Sequence, residues 1–236
     1  MYETSYMKKS ERTHQFILMD FEFTVIYGTS IVLISGAISN SSYHFKTVKL
    51  EGKPLLLPIN QNARRLTNQE IKKVISVIKL YLRPDLQIAL MKQLDNSLST
   101  STDNLNAEFI KRYLAYNNKM TIIVLWNGST DMDILERLQI NNYNVLNMTC
   151  YDVSNNQHFY IQLITMRNMR IIYEYSLGMY HKQGRMLNLV ETHTILCSKQ
   201  HKGLYPHDPC YDLELTKCIF NKMVQQFQYK NLVEHF

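Results

Sequence analysis

Two carboxylates spaced two residues apart in an apolar segment are the first side chains in this chain that could do chemistry. Asp20 and Glu22 lie in Phe16-Ile17-Leu18-Met19-Asp20-Phe21-Glu22-Phe23, and on a strand that spacing projects both from one face. In apolar surroundings the two repel each other and lose hydration unless a cation neutralises them. At a solvated sheet edge they would need no such partner. Asp131 follows the apolar run Thr121–Trp126 by way of Asn127-Gly128-Ser129-Thr130. Asn-Gly breaks the strand and Asp131 opens a helix, a place that also suits a cap or a partner for the helix dipole. Asp133 competes with it. Asp131 is preferred because Ile134 and Leu135 put the apolar stripe beside it, which leaves Asp133 toward solvent. The last group is His207 and Asp212, five residues apart in Tyr205-Pro206-His207-Asp208-Pro209-Cys210-Tyr211-Asp212. A loop His beside a first-turn Asp could be ordinary capping. A neutral imidazole near an activated water is also a good general base at neutral pH. Several carboxylates with a base nearby are what a site needs to hold two divalent cations against a phosphate.

The elements that must position these residues follow an α/β order. Residues 15–23, 30–39 and 43–50 predict an antiparallel meander, with turns at Gly28 and at Asn40-Ser41-Ser42. Pro54 and Pro58 mark a loop. Thr67 and Glu70 have capping-box spacing and open a helix striped by Ile71, Val74, Ile75 and Ile78, ended by Arg83-Pro84. A helix over 85–94 follows, and the polar stretch Asp95–Asn104 is linker-like but too short for a domain boundary. Helix 105–117, strand 120–126, a helix over 131–138 and the short strand Tyr143–Met148 continue the alternation. Residues 157–177 could be a helix, a hairpin or an insertion, since periodicity alone does not decide. A loop over 178–185, a helix over 186–197, a loop over 198–211 and a helix over 212–228 complete the chain. The predicted organisation is a polar extension over 1–14, one domain over 15–228 with an insertion near 150–185, and a tail over 229–236.

Composition narrows the class. With 236 residues, 45% hydrophobic and 19% charged, the chain fits one sizeable globular domain. No apolar run nears the roughly 20 residues of a membrane span, and the first residues hold no apolar signal segment. Cys150, Cys197, Cys210 and Cys218 are too few for a disulfide framework and read as reduced thiols of an intracellular protein. The net charge of +6 suits a phosphate-bearing partner and equally a lysine-rich solvated surface.

Taken in order, strand Asp-x-Glu, strand-Asn-x3-Asp-helix and loop His-x4-Asp-helix resemble the DEDDh exonucleases, the DnaQ-like branch of the ribonuclease H-like superfamily. Ser30–Ile38, Ala63–Ile71 and Asp212–Phe220 are similar to that family's second strand, the segment leading to its next helix, and its closing helix. The resemblance spans roughly residues 15–225. It implies a ribonuclease H-like mixed sheet, an antiparallel meander plus parallel strands, flanked by helices. It further implies two Mg²⁺ or Mn²⁺ ions, about 3.5–4 Å apart, held by Asp20, Glu22, Asp131 and Asp212. His207 would be the general base, with 3′–5′ release of nucleoside 5′-monophosphates from DNA or RNA 3′ ends. Phe21, through its backbone, and Asn127 would line the pocket for the terminal nucleotide. Trp126 stands where many relatives have a small residue or His, Phe21 separates the two acids, and 150–185 is longer than a minimal domain needs. A catalytically silent nucleic-acid-binding or scaffold module with the same fold is the alternative. A third reading puts the same site to work on a small nucleotide or short oligonucleotide.

Cys197, His201, Cys210 and Cys218 offer a zinc set, though their spacing matches no strong zinc signature and Cys218 falls on the apolar stripe of the last helix. Tyr205 and Tyr211 are candidates for stacking on bases. The remaining histidines read as ordinary, with His193 the least settled of them.

Overall fold

The computed structural model describes residues 14–41, 46–115, 120–153, 156–176, 184–197 and 206–226. The expected extension over 1–14, apart from His14, the tail over 229–236, and His44, His181, His201 and Tyr205 lie outside these residues. Strands are β1 (His14–Ile26), β2 (Ser30–Asn40), β3 (Val48–Leu50), β4 (Leu55–Leu57), β5 (Arg64–Arg65), β6 (Met120–Trp126), β7 (Asn144–Val153), β8 (Asn156–Thr165), β9 (Arg170–Ser176) and β10 (Arg185–Met186). Helices are α1 (Asn68–Tyr81), α2 (Pro84–Ser99), α3 (Ala107–Ala115), α4 (Ser129–Arg137), α5 (Leu189–Leu196) and α6 (Pro209–Gln226). The ten strands form one sheet in the order β5-β4-β2-β1-β6-β7-β8-β9, with β3 on β2 and β10 on β7. β6 is parallel to both β1 and β7, and the other pairings are antiparallel. This mixed sheet with flanking helices is the ribonuclease H-like arrangement expected from the sequence. Among the described residues no helix is long and apolar enough to cross a membrane.

Alternation along β1 decides which side chain meets which layer. Ile17, Met19 and Phe21 pack with α3 and α4 on one face. On the other face Phe16 and Leu18 pack beneath α6, while Ile26 packs beneath α1 and α2. Asp20 and Glu22 belong to this second face and fall between its two apolar clusters. The gap between α6 and the α1–α2 pair is thus where the sheet presents charge.

Several boundaries differ from the sequence expectation. Leu55–Leu57 is a fully buried strand and not part of a loop. Its flanking prolines end the strand at positions where no ladder donor is needed. α2 continues through Asp95–Ser99, because Ser97 is buried and bonds to the Gly52 carbonyl. The short strand expected at 143–148 runs on to Val153, and 156–176 is a hairpin that widens the sheet. α6 begins at Pro209, before the expected Asp212. The Asp208 carboxylate accepts from the N–H groups of Cys210 (3.0 Å) and Tyr211 (3.3 Å), and proline at the first helical position fits a cap there. The Thr67–Glu70 capping box forms as predicted, and Arg64 adds a bidentate pair to Glu70 at 2.9 and 2.6 Å. Together these bonds hold the Glu70 carboxyl down at about 2, with the Arg64 guanidinium the main cause.

Candidate active site

Asp20 and Glu22 sit where β1 outruns its parallel neighbour. Paired residues of β1 and β6 extend to Leu18 and Val124, so the backbone beyond is left for other partners. α4 starts just past the end of β6, and Asp131 in its first turn takes one of them: the Phe21 N–H donates to Asp131 Oδ1 at 3.1 Å. Asp133, two residues on, points elsewhere and pairs with Arg137 at 2.8 Å. Asp131 is thus the acid of this turn that meets β1, and Asp133 the one that meets Arg137.

On the other side of β1, β2 approaches closely. A Cβ at Gly36 would stand 2.7 Å from Phe21 Cδ1 and 2.9 Å from the Asp20 carbonyl oxygen, so only glycine fits. Glu22 is the register partner of Ser35, and Phe23 pairs next with Leu33, which leaves Ile34 as a bulge opposite the site. Bulges of this kind re-aim side chains next to functional sites.

Asp212 arrives from the first turn of α6. Its Oδ2 accepts the His207 N–H at 3.1 Å. His207 itself is left-handed, φ 64°, a conformation that costs a non-glycine residue of the order of 1–3 kcal/mol. Its ring places a nitrogen within 4.8 Å of carboxylate oxygens of both Glu22 and Asp212. The first turns of α4 and α6 thus carry Asp131 and Asp212 to the same pair on β1, with the positive ends of two helix dipoles.

The electrostatics are those of a crowded, partly dehydrated acidic cluster. Burial pushes the Asp20 carboxyl well up, helped by the charges of Glu22, Asp131, Asp212 and Asp208. Glu22 is raised for the same reasons, burial first and then Asp212, Asp131 and Asp208. Burial lifts Asp131 to about 7 against the opposing N–H bonds of Phe21 and its own backbone, and it lifts Asp212 to about 7 as well. His207 moves the other way. Burial lowers it from the ordinary imidazole value, while Asp85 opposes and Arg83 assists. Its Nε2 lies 3.9 Å from Asp85 Oδ2 at the start of α2.

Among the described residues, Glu22, His207 and Asp212 have ligand atoms close enough together to share one ion, with Asp20 and Asp131 beside them. Asp20 Oδ2 is sealed from solvent and has no hydrogen-bond partner among the described residues. A buried carboxylate oxygen left so is costly unless something outside the polypeptide satisfies it. Asp20, Glu22, Asp131 and Asp212 are hard oxygen donors, suited to Mg²⁺ or Mn²⁺. The zinc set fares worse. Cys210 and Cys218 lie eight residues apart on α6, about 12 Å along its axis, too far to share one ion. Cys197 and Cys218 do come together, close enough for their thiols to hydrogen-bond. His201 lies outside the described residues.

The two expected pocket residues are placed differently from the acids. The Phe21 ring is buried under Gly36 in the core, and only its backbone is at the site. Asn127 is exposed and left-handed at φ 47°, with its N–H on the Met148 carbonyl at 2.8 Å. Neither lines the cavity of about 510 Å³ that opens beside His207, whose walls include Lys49, Ile88, Lys92, Gln93, Pro206 and Asp208. α2 supplies much of that wall, and nothing in its sequence pattern announced a role at the site. Asp208 was legible as a turn residue only. Asp-Pro ahead of an apolar helical stripe is the signal that marks it as a cap. Tyr211 lies in the first turn of α6, half-buried. No protein-family model matches this chain, and no curated protein matches it significantly.

Proposed function

We propose that this chain is a metal-dependent 3′–5′ exonuclease of DEDDh type, working inside the cell on DNA or RNA ends. The observation that carries the reading is the convergence of Asp20, Glu22, Asp131, Asp212 and His207 from two helix N-termini, one strand and one loop. At its centre is the buried, unpartnered Asp20 Oδ2. Divalent cations held by the four carboxylates would neutralise them and draw negative charge from a phosphodiester placed there.

The chain's own residues supply the rest. The His207 imidazole, kept neutral at physiological pH by its burial, accepts the proton of the attacking water. The water oxygen bonds to the terminal phosphorus as the phosphorus–O3′ bond breaks. The departing O3′ takes a proton from solvent, so the shortened strand leaves with a 3′ hydroxyl, and the detached residue leaves as a nucleoside 5′-monophosphate. The positive ends of α4 and α6 favour a phosphate at this place. The cavity beside His207, about 510 Å³ with Lys49 and Lys92 in its walls, is of a size that takes one nucleoside. The net charge of +6 supports a polyanionic partner.

Labelled single- and double-stranded DNA and RNA, incubated with Mg²⁺ or Mn²⁺, test the reading. Stepwise shortening from the 3′ end is expected, abolished by Asp20→Ala and slowed about 10²–10⁴-fold by His207→Ala in folded protein. Binding without turnover on every substrate, indifferent to His207→Ala, would instead indicate a silent binding module. Turnover confined to dinucleotides or free nucleotides would shift the substrate to small molecules.

A further inference from the structure

We propose that Gln93 of α2 is a positioning residue for His207, an assignment that rests on the exonuclease reading above. Gln93 is 7% exposed and is used at both ends of its amide. The Ser35 hydroxyl donates to Gln93 Oε1, and Gln93 Nε2 donates to the His207 carbonyl oxygen. Ser35 is the register partner of Glu22. The amide therefore ties the strand beside Glu22 to the loop that presents the base.

The chemistry of the two ends fixes the direction of this tie. A carbonyl oxygen can only accept, so the NH₂ end must face His207, and the remaining amide oxygen is left to accept from Ser35. A carboxylate at position 93 could not make the bond to His207. The tie matters because His207 is left-handed at φ 64°. Its N–H is held by Asp212 at 3.1 Å and its carbonyl by Gln93, so both peptide groups flanking the residue are fixed. Loss of the Gln93 bond frees the carbonyl and leaves the left-handed turn with one tether fewer, so it opens more easily about the remaining Asp212 bond. The imidazole then loses its station near Glu22 and Asp212, while the four carboxylates stay on their own elements.

A double-mutant cycle reads this directly. Gln93→Met keeps the length and removes both bonds. It lowers kcat about 10- to 100-fold with KM within about twofold, the scale of loss when a reacting group is misplaced by about an ångström. In a His207→Ala background the same substitution changes kcat by less than about twofold, because residues acting as a unit are not additive. Ser35→Ala, which leaves Gln93 in place without the hydroxyl that orients it, shows a smaller loss with the same pattern. It serves if Gln93→Met fails to fold. Equal losses in both backgrounds, or unchanged kcat, overturn the assignment. Amide hydrogen exchange at His207 gives a readout independent of turnover, rising about tenfold in Gln93→Met as the local opening becomes easier. Unchanged exchange overturns the role. Wild-type protein inert on every nucleic acid would defeat the exonuclease reading, and the exchange result would still decide what Gln93 does.

Discussion

Replacing Asp131 by asparagine stabilises the cation-free protein at alkaline pH, and the size and sign of the effect follow from the site. The Asp131 carboxyl rises from its ordinary value of 3.8 to about 7, mainly by burial. A carboxyl raised in the folded state favours folding while it is protonated. That contribution is whole below about pH 4 and is lost as pH climbs through about 7. A difference of this size amounts to about 4 kcal/mol for one group. Asparagine keeps an Oδ1 that can accept from Phe21, at nearly the same volume, but cannot ionise. Asp131→Asn in chelator therefore raises stability at pH 8 by up to about 4 kcal/mol and changes little at pH 4. At roughly 2–4 °C per kcal/mol for a chain of this length, the melting rise at pH 8 is about 8–16 °C. Asp212, also lifted to about 7, keeps some pH dependence in the variant. Melting curves of both proteins from pH 4 to 8 in chelator measure the difference. A variant that melts at or below wild type at pH 8, or gains equally at pH 4, would mean that the Asp131 charge does not destabilise the fold.

Manganese bound as proposed is expected to act on the same charges from the other side. At a concentration about a hundred times its Kd it raises wild-type stability by about 2.7 kcal/mol, a melting shift of roughly 5–10 °C at pH 8, and Asp20→Asn removes most of that shift. His207→Ala leaves the manganese shift in place while lowering kcat by about 10²–10⁴-fold, the span of general base catalysis. Steady-state kinetics beside melting curves separate the two effects. Gly36→Ala drives a methyl into the Phe21 ring and the Asp20 carbonyl and costs about 1–3 kcal/mol. A urea midpoint equal to wild type, or an undiminished manganese shift, would show that Asp20 does not depend on that close approach.

Residues whose placement rests on local rules were legible in the sequence. Strand alternation alone put Asp20 and Glu22 on one face, and the apolar stripe of α4 separated Asp131 from Asp133. The Thr67–Glu70 pair announced its helix through two side-chain-to-backbone bonds that need no tertiary contact. What escaped depends on distant partners. Leu55–Leu57 reads as a loop between prolines until β2 offers it a ladder. Asp95–Ser99 reads as polar linker until Ser97 meets Gly52, 45 residues away. The hairpin over 156–176 is held by pairing with β7, which periodicity within the segment cannot reveal. Gln93 is the sharpest case. An amide among the leucines of an amphipathic helix carries no signal of its own, and its partner His207 lies 114 residues on.

If the carboxylate cluster hydrolyses the last phosphodiester of a strand, the first product carries the proof. A DNA or RNA strand labelled on its 3′-terminal nucleotide, incubated with wild-type protein and Mn²⁺, should yield labelled nucleoside 5′-monophosphate from the first turnover. Asp20→Asn should yield none. Internal fragments, a 3′-monophosphate product, or equal release by Asp20→Asn would show that these carboxylates do not cut the last phosphodiester.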